Sequence, residues 1–251
     1  MISKKILNIV GRTNAEYGLI KEGDRVLLGL SGGKDSILLA TILARMQNHA
    51  PFKFDFKAIT IDYGRGGEYD YIFKYCEKHN IKYELYRTKI YQALEEKKRP
   101  NSSYCSFCSR MRRGALYSKA LEEGYNKIAL AHHLDDVAES FVMNFSFNGA
   151  LRSMPPIYKA QNSLLVIRPL IFVRERQIID FIKSNRIYIA PDCNCPINWN
   201  SDDKKPYARE DAKNLLKNLE ENNKDLFISL KKAFSNIHTN TFCDKQYIDG
   251  F

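Results

Sequence analysis

Val26-Leu27-Leu28-Gly29-Leu30-Ser31-Gly32-Gly33-Lys34-Asp35-Ser36 is the stretch on which the reading of this chain turns. The apolar run Val26–Leu30 predicts a strand buried on both faces. Two glycines then turn the chain, and Leu38/Ile42/Met46 with Leu39/Leu43 recur at helical spacing, so the turn opens a helix. A strand-to-helix turn of this kind offers free backbone N–H groups and the positive end of a helix dipole, a ready phosphate cradle. Gly32 and Gly33 let the backbone come close to a ligand, and Ser31 and Ser36 add hydroxyl donors.

Two common nucleotide motifs are excluded. A Walker A loop needs Ser or Thr after its Gly-Lys, whereas Asp35 follows Lys34; Leu28 stands where its first glycine belongs. The spacing also fails the dinucleotide fingerprint. The hexamer Ser31–Ser36 instead resembles the PP-loop of the adenine-nucleotide α-hydrolase superfamily, whose members cleave ATP between the α and β phosphates. An ordinary glycine-rich βα turn is the bland alternative.

Composition bounds the rest. A chain of 251 residues can bury a sizeable core in one or two domains. Lys and Arg number 39 against 29 Asp and Glu, a net charge of +10, which suggests a polyanionic partner such as nucleic acid; a solvated basic surface is the alternative. No apolar run is long enough to span a bilayer, and the N-terminus lacks a signal peptide's apolar core, so a cytoplasmic protein with no membrane partner is expected. Six cysteines in a reducing compartment read as thiols or metal ligands rather than disulfides.

Along the chain, residues 3–17 read as an amphipathic helix. Strands follow at Val26–Leu30, Phe56–Ile61, Lys82–Tyr86, Lys127–Ala131 and Leu164–Leu170, the last short or at an edge because it contains Arg168-Pro169. Helices are expected at Glu68–His79 and Arg174–Ser184, with one or two charged helices over 208–236. Residues 87–104 read as a mobile loop and Ile187-Tyr188-Ile189 as a last short strand. The alternation argues for a parallel α/β sheet whose ligands sit beyond the carboxyl ends of the strands. Asp62 lies at such an end and is expected to contact nucleotide or metal, with a turn-forming Asp as the alternative. His132-His133-Leu134-Asp135-Asp136 closes the fourth strand on the same rim. Asp135 or Asp136 can contribute to Mg²⁺, and one of the two suits a helix N-cap.

Cys105-Ser106-Phe107-Cys108 is the second chemistry-bearing stretch. Cysteines three apart at a helix start point the same way and can hold one metal or cluster; a redox pair and two buried structural thiols are the alternatives. Arg110 and Arg113 then fall on one helix face beside Tyr117 and, with Arg112, suit a phosphate or RNA backbone; solvated arginines are the alternative.

Taken together, Ser31–Ser36, Cys105–Cys108 with its Ser-Arg-x-Arg-Arg-Gly, His132-His133-x-Asp135-Asp136, Asn148-Gly149 through Met154-Pro155-Pro156, and Ile167-Arg168-Pro169-Leu170 resemble the tRNA 2-thiocytidine synthetase family. The resemblance covers roughly residues 20–195. It implies a five-stranded parallel PP-loop (HUP, Rossmann-like) sheet with helices on both faces, a pyrophosphatase domain at 1–200 and a helical extension at 201–251. The implied activity is ATP-dependent: O2 of a cytidine at position 32 of the tRNA anticodon loop is adenylated, and sulfur then replaces it. Lys34 and Asp35 would be catalytic. Ser31 to Ser36, Asp62, His133 and Asp136 would bind nucleotide and Mg²⁺, and Arg110, Arg112 and Arg113 would bind tRNA. A [4Fe-4S] cluster would sit on Cys105, Cys108 and a downstream cysteine. Where family members carry Pro-Cys-x-x-Cys, this chain has Pro191-Asp192-Cys193-Asn194-Cys195; Cys193 is chosen because related thiouridine synthetases place an acidic residue before the ligand, and Cys195 is the alternative. tRNA, a sulfur donor such as a cysteine desulfurase, and a second copy in a homodimer are the implied partners. A 2-thiouridine synthetase, a lysidine synthetase-like enzyme and a non-catalytic iron–sulfur RNA-binding protein are the competing readings.

Overall fold

A computed structural model describes residues 1–64, 66–96, 104–160, 162–190 and 207–247. Strand β1 (Arg25–Gly29) lies between β2 (Asp55–Asp62) and β4 (Lys127–Ala129), and β3 (Tyr83–Arg87) and β6 (Leu165–Ile167) extend the two sides. All these pairings are parallel, and β5 (Ile157–Lys159) closes one edge antiparallel to β6. The order β3-β2-β1-β4-β6-β5 reverses between β1 and β4. That reversal is the place where doubly wound sheets open a ligand crevice.

Side-chain alternation on β1 explains the layers. Val26 and Leu28 join a core with residues of α1 (Lys4–Tyr17), α2 (Lys34–His49), α3 (Asp70–Lys78) and α7 (Glu175–Ser184). Leu27 points the other way, into a second core with Ile90 and Leu94 of α4 (Ile90–Glu96) and Leu116 and Ala120 of α5 (Tyr104–Glu122). A strand covered on both faces has no polar face, which is why β1 reads as an unbroken apolar run. The start of β1 is locked to β4 by a buried pair: Lys127 Nζ lies 2.7 Å from Asp24 Oδ2 and donates to the Leu19 carbonyl at 2.8 Å. Asn126 Nδ2 and the Lys21 N–H also donate to the Asp24 carboxylate.

Three expectations are corrected. The sheet has six strands, not five, because the three-residue β5 is too short to show alternation and pairs only through β6. Residues 87–104 include helix α4, since Ile90 and Leu94, one turn apart, bury together against the second core. Ile187-Tyr188-Ile189 pairs with no strand; Ile187 and Ile189 pack on the first core while Tyr188 is exposed.

The chain forms two compact units, Met1–Val137 with Met154–Lys205, and Ala138–Ser153 with Pro206–Phe251. The second holds α8 (Tyr207–Asn222) and α9 (Leu226–Ala233). Within it Phe141 meets Phe234 edge-on at 5.5 Å, and Arg209 Nε donates to the buried Glu139 carboxylate at 2.8 Å. Among the described residues no helix is long and apolar enough to cross a membrane.

Candidate active site

The loop between β1 and α2 is built for close approach. Gly33 is the N-cap of α2, in an extended conformation and without a side-chain cap, so the first N–H groups of the helix are left for another acceptor. Gly32 has φ +84°, and a Cβ there would run into the Tyr71 hydroxyl and, at 2.6 Å, Ile72 Cδ1. Tyr71 Oη donates to the Gly32 carbonyl at 3.2 Å. Ser31 Oγ and Ser36 Oγ are 3.2 Å apart, and Ser36 Oγ donates to the Gly33 carbonyl at 2.9 Å. Buried Thr60 donates to the Leu30 carbonyl at 2.6 Å, pinning the loop's entry to β2. Both serine hydroxyls are thereby aimed by the loop itself.

Lys34 and Asp35 open the helix. Lys34 Nζ lies 3.3 Å from Asp35 Oδ2 and 3.0 Å from Glu175 Oε1 at the start of α7. Burial works against its charge, but the two carboxylates outweigh it and raise the ammonium pKa. Asp35 has its pKa raised, by burial first, with Lys34 and His133 opposing and Asp136 adding to the rise. Its Oδ1 is buried without a hydrogen-bond partner, 3.7 Å from His133 Nε2. An oxygen left this way beside a phosphate cradle suits a cation.

The loop after β4 supplies the facing wall, and α6 (Leu134–Phe147) follows it. The His133 N–H donates to Asp136 Oδ2 at 3.0 Å, and the Asp136 N–H donates to His133 Nδ1 at 3.4 Å. This is a capping box with histidine as the cap. Because Nδ1 accepts, the neutral ring carries its proton on Nε2, the nitrogen toward Asp35. Asp135 turns to α7: it accepts the Glu175 N–H at 2.7 Å and pairs with Arg174 at 3.1 Å. It therefore caps a helix distant in sequence. Glu175 and Arg174 were missed in the sequence, where they read only as the start of α7.

Asp62 is buried at the end of β2, and its Oδ1 accepts from the Gly64 N–H and Tyr69 Oη, both at 3.0 Å. Burial and the neighbouring carboxylate raise the Tyr69 pKa. Cys108 is buried on α5; Cys105 starts the same helix, and its side chain, like Cys193 and Cys195, lies outside the described residues. Arg110, Arg112 and Arg113 are exposed on α5. Arg112 donates to the Tyr63 hydroxyl at 3.3 Å, away from the face of the other two. Further along α5, Tyr117 meets the Tyr158 hydroxyl at 3.1 Å, and the Arg168 guanidinium lies 5.0 Å over the Tyr158 ring. Burial, then the Tyr158 bond, pushes the Tyr117 hydroxyl up to about 12. Arg168 is buried and donates to the Pro155 carbonyl at 2.7 Å and to His132 Nδ1 at 3.2 Å, tying β6 to the loop after β4. Among the described residues no three His, Cys, Asp or Glu side chains form a ready-made metal cage.

Residues 2–203 match the PP-loop domain family. Over 243 residues the chain is 42% identical to the tRNA-cytidine(32) 2-sulfurtransferase of Citrifermentans bemidjiense and to that of Geobacter sulfurreducens, covering 96% of this chain and 93% of each relative. The chain belongs to the tRNA-cytidine(32) 2-sulfurtransferase family. Membership in this sulfurtransferase family, with a PP-loop domain at its centre, makes the chain an enzyme. Among solved structures it is similar to the U34-tRNA thiolase NcsA from Methanococcus maripaludis with its [4Fe-4S] cluster. The TM-score is 0.74 at 24% identity, over 99% of this chain and 85% of that one. It is also similar to the NH3-dependent NAD synthetase from Campylobacter jejuni, with a TM-score of 0.52 at 17% identity over 90% and 86% of the two chains. Both likenesses describe the fold alone.

Proposed function

We propose that this enzyme converts cytidine 32 of the tRNA anticodon loop to 2-thiocytidine in two steps. Cytidine O2 attacks the α-phosphate of ATP and pyrophosphate leaves; a sulfur nucleophile then attacks C2, and AMP leaves with O2. The 42% identity to named tRNA-cytidine(32) 2-sulfurtransferases across nearly the whole chain carries this reading. The chemistry requires the first step because a ring carbonyl oxygen is a poor leaving group and an adenylate is a good one.

The chain's own residues suit these steps. Backbone N–H groups at Gly32 to Lys34 with the Ser31 and Ser36 hydroxyls bind phosphate, and Lys34 offsets its charge while Glu175 holds the ammonium in place. Asp35 Oδ1 and Asp136 are the oxygens that would hold Mg²⁺, which needs few protein ligands when phosphates supply the rest. Mg²⁺ there would neutralise charge on the departing pyrophosphate. His133 sits between these carboxylates with an N–H to donate, and Asp62 shapes the turn beside them.

Cys105 and Cys108 fit a cluster: they stand one turn apart where α5 begins, and a helix N-terminus favours thiolate. Cys193 would be the third ligand, with Cys195 as the alternative. A [4Fe-4S] cluster on three thiolates would supply an iron position able to hold sulfide. Arg110, Arg112 and Arg113, exposed on the same helix, would take the tRNA backbone. A sulfur donor such as a cysteine desulfurase and a homodimer complete the proposal, with a catalytic domain at 1–200 and a helical extension at 201–251 that forms its compact unit together with Ala138–Ser153.

The test is mass spectrometry of tRNA nucleosides from a strain lacking the gene, with purified enzyme, ATP and a sulfur source added back in vitro. Loss and restoration of 2-thiocytidine, with AMP and pyrophosphate formed, is the expected result. A missing 2-thiouridine or lysidine instead would reassign the substrate.

A further inference from the structure

On the sheet face opposite α5, a cavity of about 750 Å³ lies between α3, the end of α7 and the segment that follows it. None of the roles proposed above uses it. Its volume is in the range of small-molecule sites. One face of α3 lines it: Tyr71, Lys74, Tyr75 and Lys78 follow one another at helical spacing. Tyr188 stands across from them, more than half exposed at 57%, and is braced edge-on by Tyr71 at 5.5 Å and 89°. Tyr75 lies lower: its hydroxyl is 2.7 Å from Thr41 Oγ1 and its ring 4.4 Å from that of His79. Burial, then Lys78, lowers the His79 pKa, which disfavours a charge on that ring. Lys74, Lys78 and Arg186 are exposed cations at the mouth, and Glu68 and Asp70 mark its other end.

We infer that this cavity is a nucleotide subsite that takes one unstacked base of the RNA substrate on Tyr188, with its phosphates on Lys74, Lys78 and Arg186. The inference rests on the proposed tRNA substrate and extends it to a second surface. An exposed aromatic ring held rigid by a second ring is a stacking platform, and cations beside it track a phosphate backbone. The acid pair at the far end disfavours a stretched polyanion there, which confines the phosphates to the cationic side. The Tyr71 hydroxyl also holds the Gly32 carbonyl, so the wall of the cavity is continuous with the phosphate cradle.

The experiment measures binding of undermodified tRNA, purified from a strain lacking the gene, to the full chain and its variants, beside ATP binding. Tyr188→Ala should weaken tRNA binding about tenfold or more, Tyr188→Phe should keep it, and ATP affinity should not change. Lys74→Ala with Lys78→Ala should lower the slope of log affinity against log salt by about 2. Ultraviolet crosslinking should join the wild-type Tyr188 peptide to RNA. Wild-type tRNA binding within twofold in Tyr188→Ala overturns the inference, as does a Tyr188→Ala defect in ATP binding in place of tRNA binding. A wild type that binds no tRNA overturns both this inference and the proposed function. Loss at Arg113→Ala with no loss at Tyr188→Ala overturns the subsite alone.

Discussion

Lys34 Nζ lies 3.0 Å from Glu175 Oε1, joining the first residue of α2 to the first residue of α7 across the mouth of the phosphate loop. The pair is partly exposed, so its worth to stability is small, about 0–1 kcal/mol. Its effect is on where the ammonium waits. Lys34→Ala should cut AMP formation by about 100-fold or more, as loss of a charge-stabilising donor does. Glu175→Gln should raise the KM for ATP by about three- to tenfold with a smaller change in kcat. Steady-state pyrophosphate release checks both, and an unchanged KM in Glu175→Gln would detach this residue from the site.

Asp35→Asn separates function from stability. The Asp35 pKa is raised in the folded protein, so its contribution to stability is full below the unfolded value of about 3.8 and is lost as pH rises through the folded value. At pH 7 the ionised, partly desolvated carboxylate is a cost. Asp35→Asn should therefore melt at a higher temperature than the wild type at pH 7 and lose that advantage near pH 3. It should lose about 100-fold or more in AMP and pyrophosphate formation. Thermal unfolding at the two pH values, with a turnover assay, reads both outcomes.

The cysteines divide into two groups. Cys105→Ala and Cys108→Ala should each lose cluster absorbance and thiolation in anaerobically purified protein while ATP still binds, because the phosphate loop is a separate element. Cys193→Ala should do the same and Cys195→Ala should not; the reverse would move the third ligand. Cys76, inside α3 and buried so that its thiol is pushed up to about 12, should resist alkylation at pH 8. Its replacement by Ala should leave the iron content unchanged.

Lys127→Met tests the pair that locks β1 to β4. Removing Lys127 strands the buried Asp24 carboxylate, at a cost of about 3–5 kcal/mol in chemical denaturation at pH 7. Burial opposes the charge on Asp24, but its bonds to Lys127, Lys21 and Asn126 prevail and lower its pKa. Its stabilisation in the wild type is accordingly present above about pH 3.8 and lost as pH falls through the lower folded value. The variant should lack that acid-side loss. An equal acid sensitivity in both proteins would contradict the assignment.

Binding of tRNA should weaken steeply with salt, and Arg113→Ala should reduce the slope by about 1. A flat salt dependence would argue that the charge of +10 serves solubility alone.

The chain's own order determined the local pieces. Strand, glycine turn and helix from Val26 to Met46 are contiguous, and hydrophobic spacing with two glycines specifies them without help from the rest of the molecule. The strand end at Asp62 and the helix opening near Cys105 were legible for the same reason, whereas the N-cap of α6, expected at Asp135 or Asp136, falls on His133. Tertiary structure decided what depends on residues far apart in sequence. Asp135, one of two adjacent acids that local pattern cannot tell apart, caps α7, while Asp136 accepts the His133 N–H in the first turn of its own helix. Glu175 reaches Lys34 only because α7 packs with α2 in one core. β5 exists only because β6 pairs with it, and α4 forms where two residues find the second core. Periodicity reports which face of an element is apolar; which other element covers that face, and which polar ends then meet, is set by packing.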